Sequence, residues 1–451
     1  MRDASGAART NKPGLARGLS LFDAIMIVMG GIVGAGIFIN PYVVARQVHT
    51  PALILGAWIF GGAIALAGSF IWAELAALLP EVGGQYVYLR EAYHPALAFL
   101  YGWVLLLVIE TGGMAAVTIT FARYFLEFTG AHAPEWLVGT AALGLLTVIN
   151  CLGVKTGGRA QSLLMVMKIA AIAALVIVGL AWAAPHRPQA TAAPPGASLA
   201  SFGAAMVPVL FAYGGWQTAN FVAAEIQEVE RNLPRALVIG VASVIVLYLT
   251  VNWVCLRALG PAGLAATSTP ASAVMRLALG ERGAALISAA IAISTLGFLS
   301  QSILTAPRVY FAMARDGLFF RAVAHLDRRS HVPIVAIVLQ SVWMTVILLS
   351  GRYEQILNYV VSMDFLFFAL TASTVFVFRR RQRAGAAPIA AYRVPGHPAT
   401  TAIFVAICCW IVGNTVYRYP ENTLIGVGLL LAGIPVYGFW SRRMARQAGK
   451  A

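Results

Sequence analysis

Two runs of this chain could do chemistry without a reactive side chain. The first reads MGGIVGAGIFINP and carries Gly30, Gly31, Gly34 and Gly36. The second reads VLFAYGGWQTANF and carries Gly214 and Gly215. Both lie inside long apolar stretches, where a glycine costs a helix about 1 kcal/mol against alanine. Such clusters predict that each helix is interrupted at mid-membrane depth. Exposed backbone there is tolerated only beside protein or a water-filled cavity. An interruption has the chemistry of helix ends. The restarting half offers free N–H groups and a positive dipole end, which suit a carboxylate. The half that stops leaves carbonyls and a negative dipole end, which suit an ammonium group or another cation. Two interrupted helices together therefore suit a zwitterion with its charges close together, as in an α-amino acid. The Gly30-x-x-x-Gly34 spacing also permits plain close packing of helices. Matched clusters in two helices favour a binding site.

Ionisable residues inside the apolar runs are few. Lys168, in LLMVMKIAAIAAL, either snorkels to an interface or serves the site. Glu74 and Glu225 fall near helix ends, which predicts pairing with loop arginines. Glu110 and Asp364 lie deeper and are pocket or proton-linked candidates on desolvation cost alone. Gly112 and Gly113 either widen a pocket or allow close packing. The hydroxyls of STLGFLSQS (294–302) either face the bundle or bond back to their own helix. No HExxH, GxSxG or Walker-type motif occurs, and the seven histidines are scattered, so neither an enzyme nor a metal or cofactor site is expected. Cys151, Cys255, Cys408 and Cys409 form no CxxC pair, which excludes a disulfide framework or zinc cluster.

These residues need elements to hold them, and composition says which kind. Of the 451 residues 60% are hydrophobic and 11% charged, against roughly 25% charged in an average soluble chain. That excludes a soluble enzyme, a disordered protein and a secreted disulfide scaffold, and leaves a polytopic membrane protein. The net charge of +15 sits in short clusters between apolar runs, which fits inner loops and anionic lipid headgroups rather than nucleic acid. Twelve runs are long enough to span: about 20–45, 51–79, 96–127, 136–152, 160–183, 202–228, 235–257, 284–314, 333–350, 354–378, 399–418 and 422–441. They are too long and too uniformly apolar for barrel strands, so the fold class is all-α. The first run lacks a small-residue exit site and is expected to remain in the mature protein.

An even number of spans puts both termini on one side. Placing that side in the cytoplasm leaves about three-quarters of the Lys and Arg residues inside, including Arg315, Arg321, Arg328, Arg329 and the Arg379–Arg380–Arg381 cluster. Gly34 and Gly214 stand 180 positions apart, in the first spans of two five-span blocks. An odd number of spans per block inverts the second against the first, as in the LeuT fold. The expected organisation is a cytoplasmic tail (1–19), two inverted repeats (20–200 and 201–380), two further spans (381–441) and a second cytoplasmic tail (442–451).

GIVGAGIF (31–38), FAYGGWQTANFVAAEIQEVERNLPRA (211–236), AELAALLPEVGGQYVYLREAY (73–93) and ARDGLFF after span 8 together carry a resemblance over most of residues 20–380. The chain resembles an amino acid permease of the amino acid–polyamine–organocation superfamily, on the branch of the L-type amino acid transporters and their bacterial relatives. The resemblance implies that the backbone N–H groups of Gly34, Ala35 and Gly36 hold a substrate carboxylate. It implies that the carbonyls of Ile32, Phe211 and Gly214 receive the α-ammonium. Phe211 would close as a lid, and Trp216 and Gln217 would sit near the side-chain pocket or inner pathway. Lys168 would reach the first break, where sodium-coupled relatives hold an ion, implying sodium-independent transport with proton coupling open. Eukaryotic L-type relatives pair with a single-span glycoprotein; nothing in this chain points to such a subunit.

No acidic residue stands in the second break itself, and the small residues there leave room for a bulky apolar side chain. The expected substrates are neutral amino acids, large or aromatic ones first, carried by alternating access across the plasma membrane, a bacterial inner membrane in this reading, by exchange or proton symport. The alternatives are a cationic amino acid or polyamine transporter of the same superfamily and, from another class, an ion channel.

Overall fold

Backbone amides in apolar runs of this length must bond within their own segment. The computed structural model of the chain describes residues 18–81, 83–152, 154–183, 199–327, 332–350, 353–386 and 388–448. Arg328, Arg329 and most of the N-terminal tail lie outside the described residues. Among those described, all regular structure is helical, and the one strand-like feature is an isolated parallel bridge between Leu19 and Ile226.

The helices are α1 (Leu21–Ile32), α2 (Gly36–Val48), α3 (Pro51–Leu78), α4 (Gln85–Ala92), α5 (Pro95–Val104), α6 (Glu110–Thr129), α7 (Glu135–Cys151) and α8 (Val154–Ala181). They continue with α9 (Leu199–Tyr213), α10 (Val229–Ala266), α11 (Pro270–Thr305), α12 (Pro307–Arg315), α13 (Ile334–Ser350), α14 (Tyr353–Arg383), α15 (Ala399–Arg418) and α16 (Pro420–Ala448). Starts follow local chemistry. Ser20 and Asp23 form a capping box at α1, and Thr50 with Pro51 begins α3.

Among the described residues nine helical stretches are long and apolar enough to cross a membrane, and the chain is a multi-pass, all-helical membrane protein. Three shorter apolar helices, Glu135–Cys151, Val166–Ala181 and Ile334–Ser350, occupy the places of the fourth, fifth and ninth runs read from the sequence. Burial separates centre from rim. The stretch from α5 to α6 is 89% buried over its most apolar window, whereas α15 and α16 are 28% and 22% buried. Polar pairing is concentrated at helix ends. Glu74 takes two hydrogen bonds from Arg379 (2.8 and 2.7 Å) and one from the Val394 N–H (2.6 Å). Glu225 pairs with Arg308 at 3.4 Å. Both acids pair with arginines as expected, although Arg379 stands on α14 and Arg308 on α12 rather than in loops.

α1 packs on α10 and α11, α2 on α9, and α6 on α11, α13 and α14. This arrangement brings the two glycine-rich runs together with α6 and α14 around one space.

Candidate functional site: a cavity between two interrupted helices

The first interruption falls where glycine removes helix preference. α1 stops at Ile32, the Val33 N–H reaches back to Met29 O (2.8 Å), and the Gly34 N–H bonds Ile32 O (2.8 Å). α2 restarts at Gly36 with Ala35 before it and no side-chain cap. The first N–H groups of a helix have no partner within it, and here Gly34, Ala35 and Gly36 line a cavity.

The second interruption follows Tyr213. The Gly214 N–H bonds Phe211 O at 3.2 Å. Gly215 takes a left-handed conformation (φ 99°), which glycine adopts without steric cost, and the chain continues as a 3₁₀ segment, Trp216–Glu225. The Gln217 Oε1 accepts from the Gly215 N–H at 3.0 Å. The breaks touch backbone to backbone: a Cβ on Gly31 would lie 2.6 Å from Gly215 O, and one on Gly215 would overlap Gly31 O. A Cβ on Gly36 would lie 2.6 Å from Ala212 Cα.

The cavity has a volume of about 70 Å³ and is partly open to the outside. It is lined by Ile32, Gly34, Ala35, Gly36, Phe211, Gly214, Gln217, Glu110 and Asp364, all singled out from the sequence. Gly113, Phe298, Ser302 and Phe365 complete much of the wall. Two named residues stand outside it. Trp216 is buried in an aromatic cluster, 4.8 Å from the Trp72 ring and 5.3 Å from that of Phe368. Lys168 lies behind the first break, where its Nζ donates to Val33 O, 6.0 Å from the Phe298 ring.

A π turn, Leu105–Ile109, stands immediately before Glu110. The Thr111 hydroxyl donates to Leu106 O across the turn (2.6 Å). Such turns insert one extra residue into a helix and often stand at functional sites. The two glycines that follow divide the alternatives between them. A Cβ on Gly112 would lie 2.5 Å from Val360, so Gly112 serves packing, whereas Gly113 lines the cavity with open space beside it. In α11 the hydroxyls divide likewise: Thr295 bonds back to Ile291 O, and Ser302 lines the cavity.

Several contributors escaped sequence reading. The Tyr248 hydroxyl of α10 lies 2.9 Å from Ile32 O and 3.1 Å from Ala212 O, so one proton is shared between both interrupted helices. The Ile32 carbonyl is therefore already engaged, by Tyr248 and by the Gly34 N–H. Gln301 Nε2 donates to Ile27 O at 2.8 Å. Asn40 Nδ2 donates to Pro208 O at 2.6 Å and ties α2 to α9. Asn40 had a readable signal, a lone amide straight after the glycine run; Tyr248 had none.

Outside the spans, the ARDG motif supplies Asp316, which accepts from Tyr86 (2.7 Å) and Arg90 (2.7 Å). Burial alone would lower the Arg90 pKa, but hydrogen bonds to Asp316 and Glu91 outweigh it and raise it. Among the described residues no group of three or more His, Cys, Asp or Glu side chains could hold a metal ion.

Comparison with known proteins agrees with this architecture. The model of the amino acid permease family matches residues 19–439. The serine/threonine exchanger SteT of Bacillus subtilis is 31% identical over 97% of this chain and 99% of its own length. The human large neutral amino acids transporter small subunit 2 is 28% identical over 96% of this chain and 83% of its own. The human cystine/glutamate transporter is 26% identical over 94% and 85%. The family model spans nearly the whole chain, interrupted helices included, and the chain belongs to the amino acid permease family, on the L-type-like branch of the amino acid–polyamine–organocation superfamily.

Proposed function

We propose that the chain is a sodium-independent secondary transporter of neutral amino acids, large or aromatic ones first, that works by alternating access and exchanges one amino acid for another. The observation that carries this reading is the cavity itself: two interrupted helices line it with backbone, and its side-chain end is mostly apolar. The substrate carboxylate sits at the N–H groups of Ala35 and Gly36, and at that of Gly34 when it leaves Ile32 O. The α-ammonium sits at the carbonyls of Phe211 and Gly214, and at Ile32 O when Tyr248 turns to Ala212 O. Phe211 closes over the substrate, and Gln217 borders the inner pathway. Lys168 stands in for a coupling ion by satisfying Val33 O. Twelve spanning helices are organised as inverted halves of five (20–200 and 201–380) plus two (381–441), with both tails in the cytoplasm and the chain in a bacterial inner membrane.

A second reading, a substrate with a cationic side chain, is favoured by one observation: Glu110 and Asp364 both line the cavity. The test is a labelled amino acid panel in proteoliposomes, with sodium and internal amino acid varied independently. Saturable, trans-stimulated, sodium-independent flux of leucine or phenylalanine is the expected result. Far stronger competition by arginine or glutamate than by leucine would overturn the neutral reading, and a large unsaturable current would make the protein a channel.

A further inference from the structure

α10 has one face turned away from the bundle. Arg231, Arg235 and Ile239 follow at four-residue steps and so share a side of the helix. That side continues through Ala242, Val246 and Trp253, all exposed. Beyond its two arginines it is an apolar stripe, which in a membrane-spanning helix meets lipid. At the charged end of the stripe lies a second cavity, of about 410 Å³ and partly open. Glu230, Arg231, Arg235 and Val238 of α10 form one wall, and Tyr392, in the segment before α15, stands in the other.

The charged groups of this cavity are unpaired. Among the described residues the side chains of Arg235 and Glu230 make no ion pair or hydrogen bond, and neither does the Tyr392 hydroxyl. Arg231 reaches only Glu228, at 3.8 Å, with both side chains largely exposed. Both walls are fixed from behind. Two residues beyond Tyr392 the Val394 N–H bonds Glu74, which Arg379 also holds. The Asn232 Nδ2 donates to Gln227 O at 2.7 Å and ties the first turn of α10 to the chain before it. Two guanidinium groups and a phenol hydroxyl are donors suited to phosphate oxygens. The Glu230 carboxylate beside them suits an ammonium group instead. A ligand carrying negative charge alone would satisfy the arginines and leave Glu230 facing it.

We propose that this cavity binds one phospholipid whose headgroup carries both a phosphate and a primary ammonium, as phosphatidylethanolamine does. The phosphate accepts from Arg231, Arg235 and Tyr392, the ammonium donates to Glu230, and an acyl chain lies along Ile239, Ala242 and Val246. A glycerol headgroup brings Glu230 a hydroxyl but no cation, and a choline headgroup brings a cation without an N–H donor. The site joins α10, which packs on α1 and α3, to the segment before α15, so a bound lipid bridges two parts of the bundle. The inference needs only a membrane-spanning chain and stands apart from the choice of transported substrate.

The test is native mass spectrometry of the full chain in detergent, titrated with the dioleoyl forms of phosphatidylethanolamine, phosphatidylglycerol and phosphatidylcholine. The wild type takes up its first phosphatidylethanolamine about tenfold more tightly than either other lipid, a preference of about 1.4 kcal/mol. Arg235→Ala weakens the first equivalent of phosphatidylethanolamine and of phosphatidylglycerol alike. Glu230→Gln weakens phosphatidylethanolamine alone, down to the level of phosphatidylglycerol. Glu230 is exposed and the change keeps its shape, so the fold survives, which an unchanged melting temperature verifies. Equal affinity of the wild type for the three lipids overturns the proposal, as does a Glu230→Gln chain that binds phosphatidylethanolamine undiminished. A wild-type preference for phosphatidylglycerol makes this a plain anionic-lipid contact and overturns it too. Glycerophosphoethanolamine, the headgroup without chains, is expected not to displace the lipid at equal concentration; if it does, the site takes soluble phosphate esters and the lipid proposal falls. Binding is read here without flux, so its failure leaves the transport reading standing.

Discussion

Single atoms decide what this cavity can hold. Gly113 is the residue at which its width can be changed without disturbing backbone, because an added Cβ there meets nothing within 4 Å. Gly36 is a poor site for the same experiment, since even a methyl group strikes Ala212. Gly113→Leu is expected to raise the KM for phenylalanine about tenfold, roughly 1.4 kcal/mol, and to affect serine far less. A side-chain size series in proteoliposomes checks this, and an equal effect on both substrates would place Gly113 away from the side-chain end. The glycine breaks were legible in the sequence because glycine is costly in a helix, and the two acids because charge is costly in a membrane. Trp216 was not. Beyond Gly215 the chain winds as a 3₁₀ helix, so successive side chains diverge by about 120° rather than 100°. Adjacent residues consequently part company, with Gln217 on the cavity and Trp216 against Trp72. Tyr248 was invisible for another reason: it meets Ala212 O from 36 positions downstream, and no local pattern marks it.

At the scale of elements, the π turn between α5 and α6 carries the most information per residue. It is five residues of uniform character, LLLVI, and nothing in that composition announces a change of helical register. Its effect is rotational. Removing one residue restores α geometry and turns α6 about 100° against α5. Deleting Leu107 is therefore expected to turn Glu110 off the cavity and to cut leucine uptake at least about tenfold in protein that remains monodisperse in detergent. Wild-type uptake from the deletion would show that the turn plays no part in placing Glu110. The other elements were easier to foresee. Among the described residues nine helical stretches are long and apolar enough to span and three shorter apolar helices stand at other runs, since length and hydropathy report on what a bilayer requires.

Across the whole molecule, buried charge is used sparingly and at seams. The Arg379 and Glu74 pair joins α14 to α3, and its acid also takes the Val394 N–H of the segment before α15, so three parts of the chain meet on one carboxylate. Arg379→Ala leaves that carboxylate buried with the Val394 N–H but no counter-cation, which is expected to cost about 3–5 kcal/mol. The melting temperature in detergent should fall accordingly, and Glu74→Gln in the same chain should recover part of the loss. A double variant no more stable than Arg379→Ala would mean that the arginine acts through packing alone. The contact of Gly31 with Gly215 has a mechanical consequence. Neither residue has a rotamer, so the interrupted helices meet backbone on backbone, with the Thr218 hydroxyl on Gly215 O beside the contact. Such a joint leaves little slack, and it passes a tilt of one helix directly to the other, as an axle turns both of its wheels.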